Sequence, residues 1–578
     1  MHQLVIRGGT VVDGTGGAPR TADVAVDDGV ITEVGKVDAG TAARTIDADG
    51  LLVTPGVVDV HTHYDGQVTW DPLLSPSCWH GVTTVVMGNC GVGFAPVRPG
   101  REEWLIQLME GVEDIPGTAL AEGITWGWES FPEYLNVLDG LARVVDFGTQ
   151  VPHGAVRAYV MGERGARNEP AGPEDIAAMA GIVREGLAAG ALGFSTSRTI
   201  LHRAVDGEPV PGTFAAEDEL FGIGQALADL GQGVFELAPA GVMGEDLAAP
   251  EREVAWMTRL SAATGRPVSF ALVQHNLAPD QWRDVLELTG KANADGAQLR
   301  PQVSGRPLNM LVGWQTFHPF MDRPTYLKLA ALPLPERVTE LRRPEVRGAI
   351  LSEQAGDASP LRDVVMTGLG RIYPMGDPPD YEPPAEASVA ARAEREGRSA
   401  EEVLYDLMME HDGRQLLMMA LLGYSRGNLD DMWEMLNDQW SVVGLADGGA
   451  HCGVICDASN PTFMLTHWVR DRPRGERLPL ELAVKKITSD TASMYGLGDR
   501  GVVAPGWKAD LNVIDFDRLQ LELPYLAFDL PGNARRLVQG ARGYVATIVS
   551  GEVTFSEGQE TGARPGRLVR GARTAAVG

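Results

Sequence analysis

The sequence predicts an α/β chain: a closed (β/α)8 barrel joined to a small β-sandwich assembled from both chain termini. Three observations predict it. Both ends read as short strands separated by Gly and Asp turns. The middle alternates apolar strand-like runs with Ala-rich helical runs, the pattern of a parallel sheet. Several apolar runs in that middle end on His, Cys or Asp, where a barrel carries its chemistry. Residues 1–55 and 499–578 are assigned to the sandwich, and 56–498 to the barrel with an insertion around 360–440.

The N-terminal strands are Leu4-Val5-Ile6-Arg7, turning at Gly8-Gly9, then Thr10-Val11-Val12, Ala22-Asp23-Val24-Ala25-Val26 and Val30-Ile31-Thr32-Glu33-Val34. Their C-terminal counterparts are 509–515 and a hairpin over 546–555 turning at Ser550-Gly551. Within the barrel, strands are expected at 56–60, 83–87, 191–195, 233–237, 267–273 and 442–447, with a helix over 174–189. Pro374, Pro378, Pro379, Pro383 and Pro384 mark the insertion, followed by a helical stretch from Ala400 to Leu422.

The chain has 578 residues and a formal net charge of -29, from 49 Lys+Arg against 78 Asp+Glu. Such acidity argues against nucleic acid or an anionic membrane as partner. Four cysteines are too few for a disulfide scaffold. No signal peptide and no membrane-length apolar run is apparent, so a cytoplasmic enzyme is expected, acting on a small molecule. A homo-oligomer is left open.

The strongest chemical signal is Asp59-Val60-His61-Thr62-His63, closing an apolar strand. Residues i and i+2 of a strand share a face, so His61 and His63 project together and can grip one divalent ion. Asp447 follows the apolar run 442–446 and precedes two glycines. A carboxylate there can bind the ion and accept a proton from the attacking water. Cys90, in Gly88-Asn89-Cys90-Gly91, offers a thiolate just beyond a strand end. Taken singly, these residues also fit core histidines, a turn aspartate and a packing cysteine.

Together, these segments resemble the amidohydrolase superfamily. Pro55-Gly56-Val57-Val58-Asp59-Val60-His61-Thr62-His63 is similar to its first-strand motif, and Tyr64-Asp65 to the D-aminoacylase branch. Gly88-Asn89-Cys90-Gly91, Gly190-Ala191-Leu192-Gly193-Phe194-Ser195-Thr196 and the segments 498–501 and 505–510 resemble the same branch. The resemblance spans nearly the whole chain. It implies a TIM-like metallo-barrel, one or two divalent ions with Zn2+ foremost, and hydrolysis of a non-peptide amide by metal-activated water, with Asp447 as general base.

Two departures accompany it. Where the branch carries ligand histidines on strands five and six, this chain reads Phe235-Glu236-Leu237 and Leu272-Val273-Gln274-His275-Asn276. Glu236 is then a candidate ligand. Gln274 takes the sixth-strand position, or His275 does if the register shifts by one. Asn276 falls where the branch has a substrate-binding lysine. Candidate substrate contacts are Tyr64, His153, Arg198, Asn276 and His451. The expected activity is cleavage of an N-acyl amino acid or related small amide. Cyclic-amide or carbamoyl hydrolysis on the same scaffold, or a catalytically silent binding paralogue, are the alternatives.

Overall fold

The computed structural model describes residues 1–38, 42–354, 356 and 360–572. Eight parallel strands form the barrel: β1 (Val57–Asp59), β2 (Val82–Met87), β3 (Asp146–Thr149, resuming at Val151–Pro152), β4 (Gly193–Ser197), β5 (Val234–Ala238), β6 (Val268–Ala271), β7 (Leu299–Ser304) and β8 (Val442–Gly444). β1, β2 and β3 pair in sequence, and β3 continues through β4, β5, β6 and β7 to β8. Closure comes just beyond the strand ends. The Asp447 N–H donates to the His61 carbonyl at 3.1 Å and the His63 N–H to the Gly448 carbonyl at 2.8 Å. The ring therefore closes on the very segments that carry the candidate ligands.

Helices cover the outside. Pro173–Ala189 shows why they form where they do. Pro173 opens it, the Asp175 carboxylate accepts from the Gly172 N–H, and Gly190 ends it in a left-handed conformation. Met179, Val183 and Leu187, four residues apart, are buried. Among the described residues, no helix is long and apolar enough to cross a membrane.

The two chain ends meet in one nine-stranded sheet. Leu52–Pro55 runs antiparallel to Leu511–Ile514, with Val53 opposite Val513, so N- and C-terminal segments are neighbours. Leu4, Ile6, Val24, Val53, Leu511 and Ile548 share its core. The expected turn at Gly8-Gly9 is instead a bulge within one strand, His2–Val11, whose register against Arg20–Asp27 shifts between Ile6 and Gly9. The last described stretch leaves the sheet and returns to the barrel, where Leu568 bridges Phe147.

The excursion between β7 and β8 is longer than the 360–440 expected, occupying 305–441. It holds a three-stranded antiparallel sheet, Leu308–Val312, Ile372–Pro374 and Leu417–Leu422, and a core of its own around Trp314, Phe320 and Tyr405. The helix expected over Ala400 to Leu422 stops at Met408. His411 and Asp412 then take left-handed conformations, and the apolar run Leu417–Leu422 continues as a strand. A short, wholly apolar run carries no period to separate the two.

Candidate metal centre

His61 and His63 follow β1 directly, and both rings are buried. The Gln302 amide, on β7, donates to the Ser269 hydroxyl at 3.0 Å, so its Oε1 is the acceptor that faces His61 Nδ1 at 2.8 Å. His61 is thereby the Nδ1–H tautomer and turns its Nε2 lone pair inward. That Nε2 stands 3.4 Å from Cys90 Sγ and 3.3 Å from Asp447 Oδ1. His63 Nε2 is 3.6 Å from the same Asp447 oxygen. One donor atom from each of His61, His63 and Cys90 lies within 4.8 Å of the other two.

The turn after β2 delivers Cys90. Its own φ is 55°, and its N–H donates to Glu236 Oε2 at 3.0 Å. Gly91 is required beside it: φ is +72°, and a Cβ there would stand 2.9 Å from the Thr196 backbone. Glu236, on β5, keeps its other oxygen 3.9 Å from His61 Nδ1, without a hydrogen-bond partner. Asp447 lies three residues past β8 rather than at its last position, with φ 47°. Tyr64 packs beneath this loop, where a Cβ on Gly449 would meet its ring at 2.8 Å.

Electrostatics single out the same residues. Burial pushes the Glu236 carboxyl up to about 8 and Glu113 upward as well, against the opposing pull of His63. Burial would also raise Asp447, but its imidazole neighbours, His63 foremost, outweigh it and hold the carboxylate well below its usual range.

The donors fit a divalent ion on three counts. Ligands about 2.0–2.3 Å from a tetrahedral ion stand roughly 3.3–3.8 Å apart, the spacing His61 Nε2 keeps to Cys90 and Asp447. His63 Nδ1, Glu113 Oε1 and Glu236 Oε1 are buried without hydrogen-bond partners. Buried carboxylates crowded this closely call for a compensating cation.

Two members of the site escaped sequence reasoning. Glu113 ends the helix Glu102–Glu113, with Oε1 3.4 Å from His63 Nδ1 and Oε2 3.8 Å from His451 Nε2. Its signal was an acid on the apolar stripe of Leu105, Met109 and Val112. Gln302 was a polar residue in a buried strand. His202, after β4, is a third neighbour, within electrostatic reach of His451, His63, Asp447 and His61.

Other expected site residues are engaged elsewhere. β6 ends at Ala271, so neither Gln274 nor His275 reaches the ligand position by strand alternation. Gln274 donates to Asp431 and accepts from the Ser425 N–H at 3.1 Å. His275 lies 3.1 Å from Gln281 Oε1 and accepts from the Ala278 N–H at 3.2 Å. Asn276 donates to the Leu421 carbonyl at 3.0 Å. Tyr64 is buried with its hydroxyl 2.7 Å from Ser77 Oγ. His153 is locked between Thr196 (2.8 Å) and Glu219 (2.9 Å). Arg198 forks onto Glu253 at 3.0 Å and lies over Trp256. These four side chains each hold a partner within the protein, and of the substrate candidates His451 stands beside Glu113 at the centre.

Comparison with known proteins places this geometry. A family model described as the amidohydrolase family matches residues 44–555. The chain is 27% identical to a D-aminoacylase of Alcaligenes xylosoxydans xylosoxydans, over 99% of this chain and 98% of that protein. It is 26% identical to an N-acyl-D-glutamate deacylase of the same organism, over 98% and 96%. A crystal structure of N-acyl-D-glutamate deacylase from Bordetella bronchiseptica superposes with TM-score 0.63 at 22% identity, over 98% of this chain and 99% of that one, and shares the fold. With a family match over most of its length and D-aminoacylase relatives end to end, the chain belongs to the amidohydrolase family, as a hydrolase of non-peptide C–N bonds.

Proposed function

We propose that this chain is a zinc-dependent deacylase that hydrolyses small N-acyl amides, N-acyl amino acids among them. The observation that carries the reading is the donor set itself: His61, His63 and Cys90 converge, and Asp447 faces both rings. Those three side chains would hold the ion, and a thiolate with two imidazoles suits zinc. When bound, such an ion polarises a carbonyl and lowers the pKa of a water molecule. Asp447, kept ionised by its histidine neighbours, takes the proton of the attacking water and returns it to the leaving nitrogen. Gln302 and Glu113 hold the rings so that their Nε2 atoms face Asp447. Glu236 offers a second acid/base group or a further donor from β5.

The activities named for the relatives support amide hydrolysis, and the Bordetella deacylase structure is described as a complex with zinc and a phosphonate mimic of the tetrahedral intermediate. One group of three converging donors exists among the described residues, so one tightly bound ion per chain is expected. The test combines elemental analysis of the purified protein with assays on N-acyl amides in the presence of zinc. The expected result is about one zinc per chain and release of free amine and carboxylate. Protein that binds no divalent ion, or that cleaves no N-acyl amide with the ion bound, contradicts the reading.

A further inference from the structure

The base of the barrel mouth is acidic, and the loops around it carry exposed apolar side chains. Asp447, Glu236 and Glu113 gather around His61 and His63. Among the described residues, no side-chain hydrogen bond or ion pair of these five reaches a lysine or arginine. Three arginines are committed within the protein, whereas Arg203, next to His202, donates to the Gly207 carbonyl. Arg198 is bound to Glu253 and the Ala215 carbonyl. Arg306 is buried 2.8 Å from Asp457, over the Tyr381 ring, and donates to the Cys456 carbonyl. Arg536 is taken by Asp529 and Ser75.

The loops that follow β4, β5 and β6 carry exposed large apolar side chains: Leu201 at 49%, Phe214 at 61%, Leu247 at 49% and Leu277 at 70%. These loops are contiguous. The Thr199 hydroxyl donates to Glu245 at 2.5 Å, joining the first two, and a Cβ on Gly244 would meet Leu277 at 3.2 Å, joining the second to the third. They also adjoin the centre: Leu201 is next in sequence to His202, whose Nδ1 lies 3.0 Å from the Ser197 hydroxyl at the end of β4, and a Cβ on Gly111, two residues before Glu113, would meet the Arg203 carbonyl at 2.5 Å. Exposed apolar side chains on joined loops beside a candidate active site are a place to shelter the apolar part of a substrate.

We propose that the preferred substrate is a neutral amide with a long apolar arm, lying across Leu201, Phe214, Leu247 and Leu277, rather than an anionic N-acyl amino acid. This inference rests on the deacylase reading and names its substrate class. A substrate carboxylate would enter beside Asp447, Glu236 and Glu113, none of which is bonded to a lysine or arginine among the described residues. Each methylene of the arm that leaves water is worth up to about fourfold in kcat/KM.

The test uses the zinc-loaded full chain and six substrates: the N-acetyl and N-octanoyl derivatives of D-leucine, of L-leucine and of 3-methylbutylamine, which is leucine without its carboxylate. N-octanoyl-3-methylbutylamine is expected to be cleaved best, with kcat/KM at least about tenfold above N-acetyl-leucine. The double variant Leu201→Ser, Phe214→Ser is expected to cut the octanoyl-to-acetyl ratio at least about threefold. Preference for the leucine derivatives, an octanoyl-to-acetyl ratio near one, or an unchanged ratio in the double variant overturns the inference and leaves the deacylase reading standing. Cleavage of none of the six overturns that reading and this inference with it.

Discussion

His63 turns its Nδ1 toward Glu113 Oε1 at 3.4 Å, and both atoms are buried without a shorter hydrogen bond. The contact mirrors the one between His61 Nδ1 and Gln302 Oε1. Each ring is held from behind by an oxygen, and each presents Nε2 to the same oxygen of Asp447. Glu113 does more than hold a ring. Its carbonyl accepts the His451 N–H, the next carbonyl, of Asp114, accepts the Cys452 N–H at 3.2 Å, and the Asp114 carboxylate accepts the Gly453 N–H at 2.9 Å. One helix end outside the barrel thus ties a candidate ligand to the loop that follows the candidate base.

Glu113→Gln keeps the shape of the side chain and removes its charge. Partners that orient a metal-bound histidine typically contribute 10–100-fold in metal affinity, so the variant is expected to bind zinc about 10–100-fold more weakly. Competition with a chromophoric chelator measures this without reference to activity. An affinity equal to wild type would show that the contact does not govern His63.

His61→Ala with His63→Ala is expected to lose zinc and activity together. Asp447→Asn is expected to lower kcat at least about 10²-fold, the low end for a lost general base, with the circular dichroism spectrum unchanged. Full metal content in the double variant would remove both histidines from the site. An Asp447→Asn enzyme as fast as wild type would place the proton acceptor elsewhere.

The contrast between these residues explains what the sequence could and could not tell. His61 and His63 were legible because alternation along one short strand sends both side chains to one face. Cys90 and Asp447 were legible as polar residues closing apolar runs beside glycines. Glu113 and Gln302 were not: each is a single polar residue among buried neighbours, and only the tertiary structure shows that it faces an imidazole. Arg198, His153 and Tyr64 looked available because their partners, Glu253, Glu219 and Ser77, lie on other elements. The barrel itself was readable from strand-helix alternation, whereas the strand Leu417–Leu422 was hidden in an apolar run without periodicity.

The sixth strand provides a sharp test of register. Gln274→Ala and His275→Ala are each expected to leave zinc stoichiometry and affinity at wild-type values, because β6 ends at Ala271 and both side chains are bound to other loops. Loss of an ion in either variant would mean that the segment after β6 swings inward to supply a ligand.

Acid should weaken the joint between barrel and terminal sheet. Asp146, buried on β3, accepts from Arg500 at 2.6 Å and from the Arg567 N–H at 2.9 Å, and lies 2.9 Å from Lys508 Nζ. Burial alone would raise its pKa, but Lys508 and Arg500 outweigh burial and hold it down at about 2. A carboxyl lowered by folding stabilises fully above its unfolded value, roughly 4, and loses that contribution as pH falls through the folded value. Asp146→Asn removes the anion that buried Arg500 and part-buried Lys508 share, and because Arg500 keeps Asp499 and Lys508 keeps Asp510, the cost should fall below the about 3–5 kcal/mol of a buried charge left alone. At pH 7 the variant should therefore unfold at a clearly lower urea concentration than wild type. The gap should narrow as pH falls from about 4 to about 2, because the unfolded chain's carboxyl takes up its proton first, near 4, and the folded one only near 2. A urea midpoint difference of the same size at pH 7 and pH 3 would show that the loss comes from packing and not from the charge on Asp146.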